Sequence, residues 1–252
     1  MPRKKLKLHK SVQMTLIIVA AVLFISLAGM YFYKSNFSTA NTISVSGQGV
    51  EKAAPDLISI YFNVDTTGST SKIAEDANTA IVTKLKSYIV ALGFSDDDLK
   101  TDNYNIYPEY DYDKTTPTIT GYRATHSLKI SFSASESDKI TSVIDSGTNA
   151  GAGISYINFE LSPELEQEYK AMAIQTASED AKIKAEAIAE GFNKRLGRLV
   201  SVSLDSYNYY PLRAYDSSVS GTSAESAKTA VAGITPSERE VTAYVTAIYK
   251  LG

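Results

Sequence analysis

Two histidines, His9 and His126, and the absence of any cysteine bound the chemistry open to this 252-residue chain. Without thiols there is no disulfide, no thiolate-held zinc or iron–sulfur group and no cysteine nucleophile. His9 belongs to a basic N-terminal tip, and one further histidine cannot build a His-rich metal centre. No His-Glu-x-x-His helix is present. His126 as the base of a Ser–His–Asp triad would need a presented serine, and the G-x-S-x-G elbow is missing. Carboxylates are numerous enough for an acid–base pair. Their densest group, Asp96-Asp97-Asp98, follows Ser95 at capping distance to Asp98 and lacks the Gly and terminal Glu of a calcium loop. Gly47-Gln48-Gly49 has no third Gly and no Lys to cradle a phosphate, and reads as a strand-ending turn. No catalytic, cofactor-binding or metal-binding residue is assigned, so the expectation is a protein that is not an enzyme.

Tyrosine is the unusual residue: 17 Tyr against 8 Phe. Tyr104, Tyr107, Tyr110, Tyr112 and Tyr122 fall in one strand region, and Tyr207, Tyr209, Tyr210 and Tyr215 in another. An apolar ring with a polar tip suits half-buried sheet faces and protein interfaces, and the second group is the candidate interface. Stacking platforms for nucleic acid also use aromatic rings but need a basic groove.

The charge distribution excludes that groove. Residues 1–34 hold Arg3, Lys4, Lys5, Lys7, Lys10 and Lys34 and no acid, a net +6. The other 19 bases meet all 28 acids in residues 35–252, a net −9. Between the basic residues, Val12 to Tyr33 is a run of 22 residues without a charge. As a helix it spans about 33 Å, enough for a hydrocarbon core of roughly 30 Å. Met30-Tyr31-Phe32-Tyr33 supplies an aromatic belt, and the excess of bases before the run places the N-terminus in the cytoplasm. The expected organisation is a basic tip (1–11), a transmembrane signal anchor (12–33), a linker (34–41) and an extracytoplasmic domain (42–250). A cleavable signal, cut at Ser38-Thr39-Ala40 or Ser26-Leu27-Ala28, is the other reading. The run exceeds the about 7–15 residues of a signal core, and both readings export the body.

Positioning within that body falls to alternating elements. Thr42–Gly47 and Leu57–Asp65 read as strands around an Ala54-Pro55-Asp56 turn, and residues 70–92 as an amphipathic helix stopped at Gly93. Strands follow over 101–113 and 119–133. A short helix opens at a Ser135…Asp138 capping box, and a strand runs from Ile154 to Leu161. Pro163 opens a long Ala-rich helix ending at Gly191, before last strands at 199–204 and 241–249. Residues 211–236, poor in large aliphatics, read as a mobile loop. The fold class is α+β, with mixed, mainly antiparallel sheets packed by three helices.

These motifs, in this order, resemble the SIMPL-domain family, the YggE-like periplasmic or cell-surface proteins, over about residues 42–250. The resemblance rests on Gly47 and Gly49 followed by Pro55-Asp56, and on Gly93 … Asp98 … Thr101 … Pro108 … Tyr110. It continues through Gly121-Tyr122, Phe159 … Ser162, Lys184-Ala185, Gly191 and Gly197. It implies an α+β fold, export, links to oxidative-stress tolerance, ring- or channel-like oligomers and no established catalytic residues. The matched Gly, Pro and Asp are read as turn architecture. The expectation is a membrane-anchored, self-assembling interaction or scaffold protein, with one membrane span, a homo-oligomeric state, no cofactor and no nucleic acid. A small-ligand or peptide binder with the 211–236 loop as a lid, and a carboxylate-dependent envelope hydrolase, are the alternatives.

Overall fold

Every strong periodicity in the sequence becomes an element in the computed structural model, which describes residues 10–37, 41–112, 116–220 and 223–252. The order is α1 (Lys10–Phe37), β1 (Thr42–Ala53), β2 (Leu57–Gly68), α2 (Ser71–Ala91), β3 (Leu99–Asp111), β4 (Thr118–Ser133), α3 (Ile140–Ala150), β5 (Gly153–Glu160) and α4 (Pro163–Gly191). Then come β6 (Leu196–Tyr209), β7 (Leu212–Asp216), α5 (Ser217–Ser220), α6 (Ala224–Val231) and β8 (Arg239–Leu251). Two compact units are distinguished: the described residues of 1–44, 185–201 and 248–252, and those of 45–184 with 202–247.

Five strands form one sheet in the order β3-β4-β2-β5-β7, antiparallel at every pairing. Strand alternation decides its faces. Ile58, Ile60, Phe62 and Val64 of β2 point to one side with Leu128 and Ile130 of β4 and Ile157 and Phe159 of β5. There they meet Leu85 and Ile89 of α2 and Val143 and Ile144 of α3 in the main core. Thr70 caps α2 by accepting from the Ile73 amide, and Gly93, at φ 92°, ends it in the left-handed conformation that glycine adopts without strain.

The other sheet has the order β1-β8-β6. Ser46 meets Thr246 and Gln48 meets Tyr244, so β1 and β8 run in opposite directions. Against it lies α4, through a small core in which Ala173 and Ala177 pack with Val241, Ala243 and Val245. The Gly47-Gln48-Gly49 reading is corrected here: both glycines lie inside β1, not at its end. A Cβ on Gly47 would stand 2.0 Å from the Ala177 carbonyl oxygen, and one on Gly49 2.0 Å from that of Ala173. Only a backbone without side chains can approach a helix so closely, which is why Gly faces Ala across this contact.

Two further expectations change. Residues 211–236, read as a loop, carry β7, α5 and α6 in their described part. β7 pairs with β5, Tyr215 is only 1% exposed, and Ala227 and Val231 join the main core. Few large aliphatics were needed because one tyrosine and a short amphipathic turn fill the space. The capping box predicted at Ser135 is absent; Ser133 caps that turn instead. Ser95 and Asp98 make the reciprocal box that their spacing suggested.

Candidate functional site

The side of the five-stranded sheet turned away from the main core is polar. Ser59 and Tyr61 of β2 alternate with the core residues. Their register partners are Ser131 and Lys129 on β4 and Asn158 and Tyr156 on β5. A shift in the β2–β5 pairing between Tyr61 and Phe62 sets Tyr156 beside Tyr61 while Ile154 still faces the core. The two rings stack at 4.0 Å between centroids. Lys129 lies over the Tyr61 ring at 5.2 Å and Arg213 over the Tyr156 ring at 4.7 Å. A cation, two rings and a second cation therefore form a row across four strands, each contact adding cation–π or stacking attraction.

Beside this row is a cleft of about 450 Å³, lined among others by Leu57, Lys100, Lys129, Ser131, Glu160 and Tyr209. Lys129 donates to Glu160 at 2.7 Å. Ser59 also donates to Glu160, so the 2.9 Å contact between the Ser59 and Ser131 hydroxyls has Ser131 as donor. Burial works to lower the Lys129 pKa, but its bonds to Glu160 and Tyr61 and their attraction outweigh it, and the ammonium is held above its usual range. The chain of donors ends on the Glu160 carboxylate. Ser59 is wholly buried, so its hydroxyl is a structural donor and not an available nucleophile. Asn158, 5% exposed, keeps a side-chain oxygen with no hydrogen-bond partner among the described residues.

His126 is placed on the core side of β4. Asn78 is buried in α2 and donates to the Val64 and Ala124 carbonyls, which leaves its oxygen to accept from His126 Nδ1 at 3.1 Å. Nε2 is then the acceptor for the Thr101 hydroxyl at 2.9 Å. Burial lowers the His126 pKa. Both ring nitrogens of this neutral imidazole are occupied, and a tilted Tyr104 ring lies 4.8 Å away.

The candidate interface tyrosines do not gather on one surface. Tyr215 is in the main core; Tyr207 donates to Glu166, and Tyr209 accepts from the Leu161 amide at 2.8 Å. Burial and the Glu166 charge raise the Tyr207 pKa strongly. Tyr210 is exposed. The motif residues occupy joints. Asp56, following Pro55 in the β1–β2 turn, accepts from the Ser162 amide at 2.6 Å. Asp98 caps the Ser95 turn, and Ser162 accepts from the Leu165 amide at the start of α4. Lys184 reaches Asp180 and the Ser46 carbonyl, and Asp180 also accepts the Gln48 amide. Phe159 and Ala185 are buried, and Gly191 is the last residue of α4. Gly197 packs against Lys250; along the β3–β4 ladder Pro108 is opposite Tyr122, Gly121 opposite Glu109 and Tyr110 opposite Ile119. Sequence reasoning missed Tyr61, Tyr156, Lys129 and Glu160. The available signal was the period of two in Leu57–Asp65, whose alternate residues Ser59, Tyr61 and Asn63 are polar.

Among the described residues no group of three or more His, Asp or Glu is placed to hold a metal ion. Residues 43–249 match the family model SIMPL, described as a protein of unknown function (DUF541). The 26 kDa periplasmic immunogenic protein of Brucella melitensis is 32% identical over 170 residues, 64% of this chain and 65% of that protein, just under two thirds of its length. The uncharacterised protein YggE of Escherichia coli K12 is 24% identical over 194 residues, 77% of this chain and 78% of that one. YggE of Edwardsiella ictaluri is 26% identical over 170 residues, 67% of this chain and 70% of its own. With its glycine-packed β1–α4 contact, two antiparallel sheets and a match over residues 43–249, this chain belongs to the SIMPL family.

Proposed function

We propose that this chain is a membrane-tethered extracytoplasmic interaction protein that is not an enzyme and assembles with copies of itself along β6. The observation that carries the reading is the exposure of that strand. β6 ends the order β1-β8-β6, and residues 197–206 are exposed throughout. Val200, Val202 and Leu204 recur at every second residue and share one face, with Val202 56% and Leu204 47% exposed; Leu199 is exposed on the other face. A long apolar edge strand is a template for pairing with another chain. A second copy offers both a strand edge and apolar area for the two faces.

The tether reading is supported by α1, whose Met14–Tyr31 portion is long and apolar enough to cross a membrane and is exposed throughout. It is also supported by the basic tip before it and by a relative whose name calls it periplasmic. Confinement at a membrane raises effective concentration, so modest contacts suffice for assembly. The non-enzymatic reading is supported by the occupied nitrogens of His126, the buried Ser59 hydroxyl and the paired Glu160. Light scattering on the full chain in detergent micelles is the test. A multimer is expected, with Val202→Glu combined with Leu204→Glu returning a monomer at unchanged melting temperature. A monomeric parent chain overturns the assembly, and a double variant that still assembles overturns its placement along β6.

A second reading, a binder of small polar ligands or peptides, is favoured by the 450 Å³ cleft and the unsatisfied Asn158 oxygen. A ligand with amide or ammonium hydrogens suits the Glu160 carboxylate that lines the cleft. Screening polar envelope metabolites and short peptides by thermal shift tests it; no ligand raising the melting temperature counts against it.

A further inference from the structure

We infer that the end of the three-stranded sheet marked by Phe192, Lys194 and Arg195 docks on the anionic headgroups of the bilayer that holds α1. This inference rests on the tether reading above and adds a lipid-binding surface to it.

Chain length sets which end of the sheet faces the membrane. The uncharged run ends at Tyr33 and α1 continues to Phe37, about 6 Å farther along a helix axis. Four residue steps separate Phe37 from Asn41, at most about 14 Å even fully extended. Asn41 is fixed to the end of β8: its carbonyl accepts from the Leu251 amide at 2.7 Å. The next residue, Gly252, donates to the Arg195 carbonyl at 2.9 Å. Asn41 and Arg195 therefore flank the same strand end, about 10 Å apart at ordinary strand spacing. The start of β6 therefore lies within about 30 Å of the end of the uncharged run, close enough to reach the headgroup layer when the linker is not extended.

What the chain presents there is built for a lipid surface. Asn193, at φ 53°, turns the backbone at the end of α4, and the turn is closed by Lys194 N–H donating to the Ala189 carbonyl at 2.8 Å. The turn leaves Phe192 74% exposed, the largest exposure of any large apolar side chain described outside α1. Lys194 and Arg195 follow it directly in the chain and are exposed with it. A ring held out by a fixed turn and followed by two exposed bases can enter the interface while the bases meet phosphates. Residues 35–252 are otherwise strongly acidic, so these exposed bases are the part of them that an anionic bilayer attracts.

The chain contains no tryptophan, so Phe192→Trp is a single fluorescent reporter. The full chain carrying it is placed in nanodiscs of phosphatidylglycerol or of phosphatidylcholine, each with and without bromine-labelled lipid. The expected result is blue-shifted emission quenched by the bromolipid in the anionic discs and much less in the neutral ones. Each cation removed, in Lys194→Gln and then Arg195→Gln, lowers the docked population about fivefold. A separate Phe24→Trp chain reports on α1 itself. If Phe24→Trp is quenched and Phe192→Trp keeps the emission of a solvated indole, docking is overturned and the tether stands. If neither is quenched, the tether reading fails as well. Equal quenching in both lipids, unmoved by loss of the cations, overturns headgroup recognition.

Discussion

At the scale of single residues, the sharpest constraint is the contact between two glycines and a helix. Gly47 and Gly49 touch the backbone of α4 where any Cβ would overlap a carbonyl oxygen, and neither side can yield without moving a whole element. Gly49→Ala is expected to destabilise the protein by about 3 kcal/mol or more, at the upper end of overpacking costs. Gly191→Ala, where a Cβ would meet nothing within 4 Å, should be neutral or stabilising by about 0.5–1 kcal/mol. Urea titration of the two variants checks the contrast. His126 gives a second prediction. Its folded-state pKa lies below the ordinary value of about 6.5 because burial disfavours the imidazolium; Glu75, Lys86 and Tyr104 line the same cleft. The unfolded chain therefore takes up the proton first, and the contribution to stability, full above that ordinary value, is lost as pH falls from there through the folded value. The melting temperature of the parent should drop more from pH 7 to pH 5 than that of His126→Asn; equal drops would contradict this. The G-x-G spacing was legible as a motif, but not its cause, because the close approach involves α4, more than a hundred residues away.

Individual elements were legible wherever one face was buried. The alternation in Leu57–Asp65 and the apolar stripe of residues 70–92 became β2 and α2 almost as read, since burial on one side forces a period. Reading failed where a neighbour supplies the reason for order. β7 has five residues, and its place beside β5 and its buried Tyr215 depend on a strand some sixty residues earlier. Tyr215→Ala is expected to cost about 3–5 kcal/mol, as for other large aromatic side chains removed from a core. Hydrogen exchange should show residues 212–216 protected to nearly the same degree as β5; free exchange there would restore the loop reading. β6 reads in sequence as an ordinary strand because its apolar residues alternate. Its exposure is visible only once the sheet is assembled and no described element covers it. The cleft residues Lys129 and Glu160 were hidden for a similar reason: they meet across β2, which neither adjoins in sequence.

For the whole molecule, charge and absence of cysteine carry the most weight. A +6 segment before a −9 body was legible from counting and is what the proposed export and tether rest on. With no disulfide available, residues 42–250 depend on two apolar cores for stability, so reductant should leave the melting temperature unchanged. The account joins that tether to an edge strand left bare for another copy. The lack of native thiols makes the decisive measurement simple. A single Leu204→Cys, or Val90→Cys on the exposed side of α2 as control, is expressed in the full chain and exported to an oxidising compartment. Non-reducing electrophoresis of the membranes should then show cross-linked species for Leu204→Cys and little for Val90→Cys. A Leu204→Cys chain that stays a single band, or a control that cross-links equally, would contradict assembly through β6.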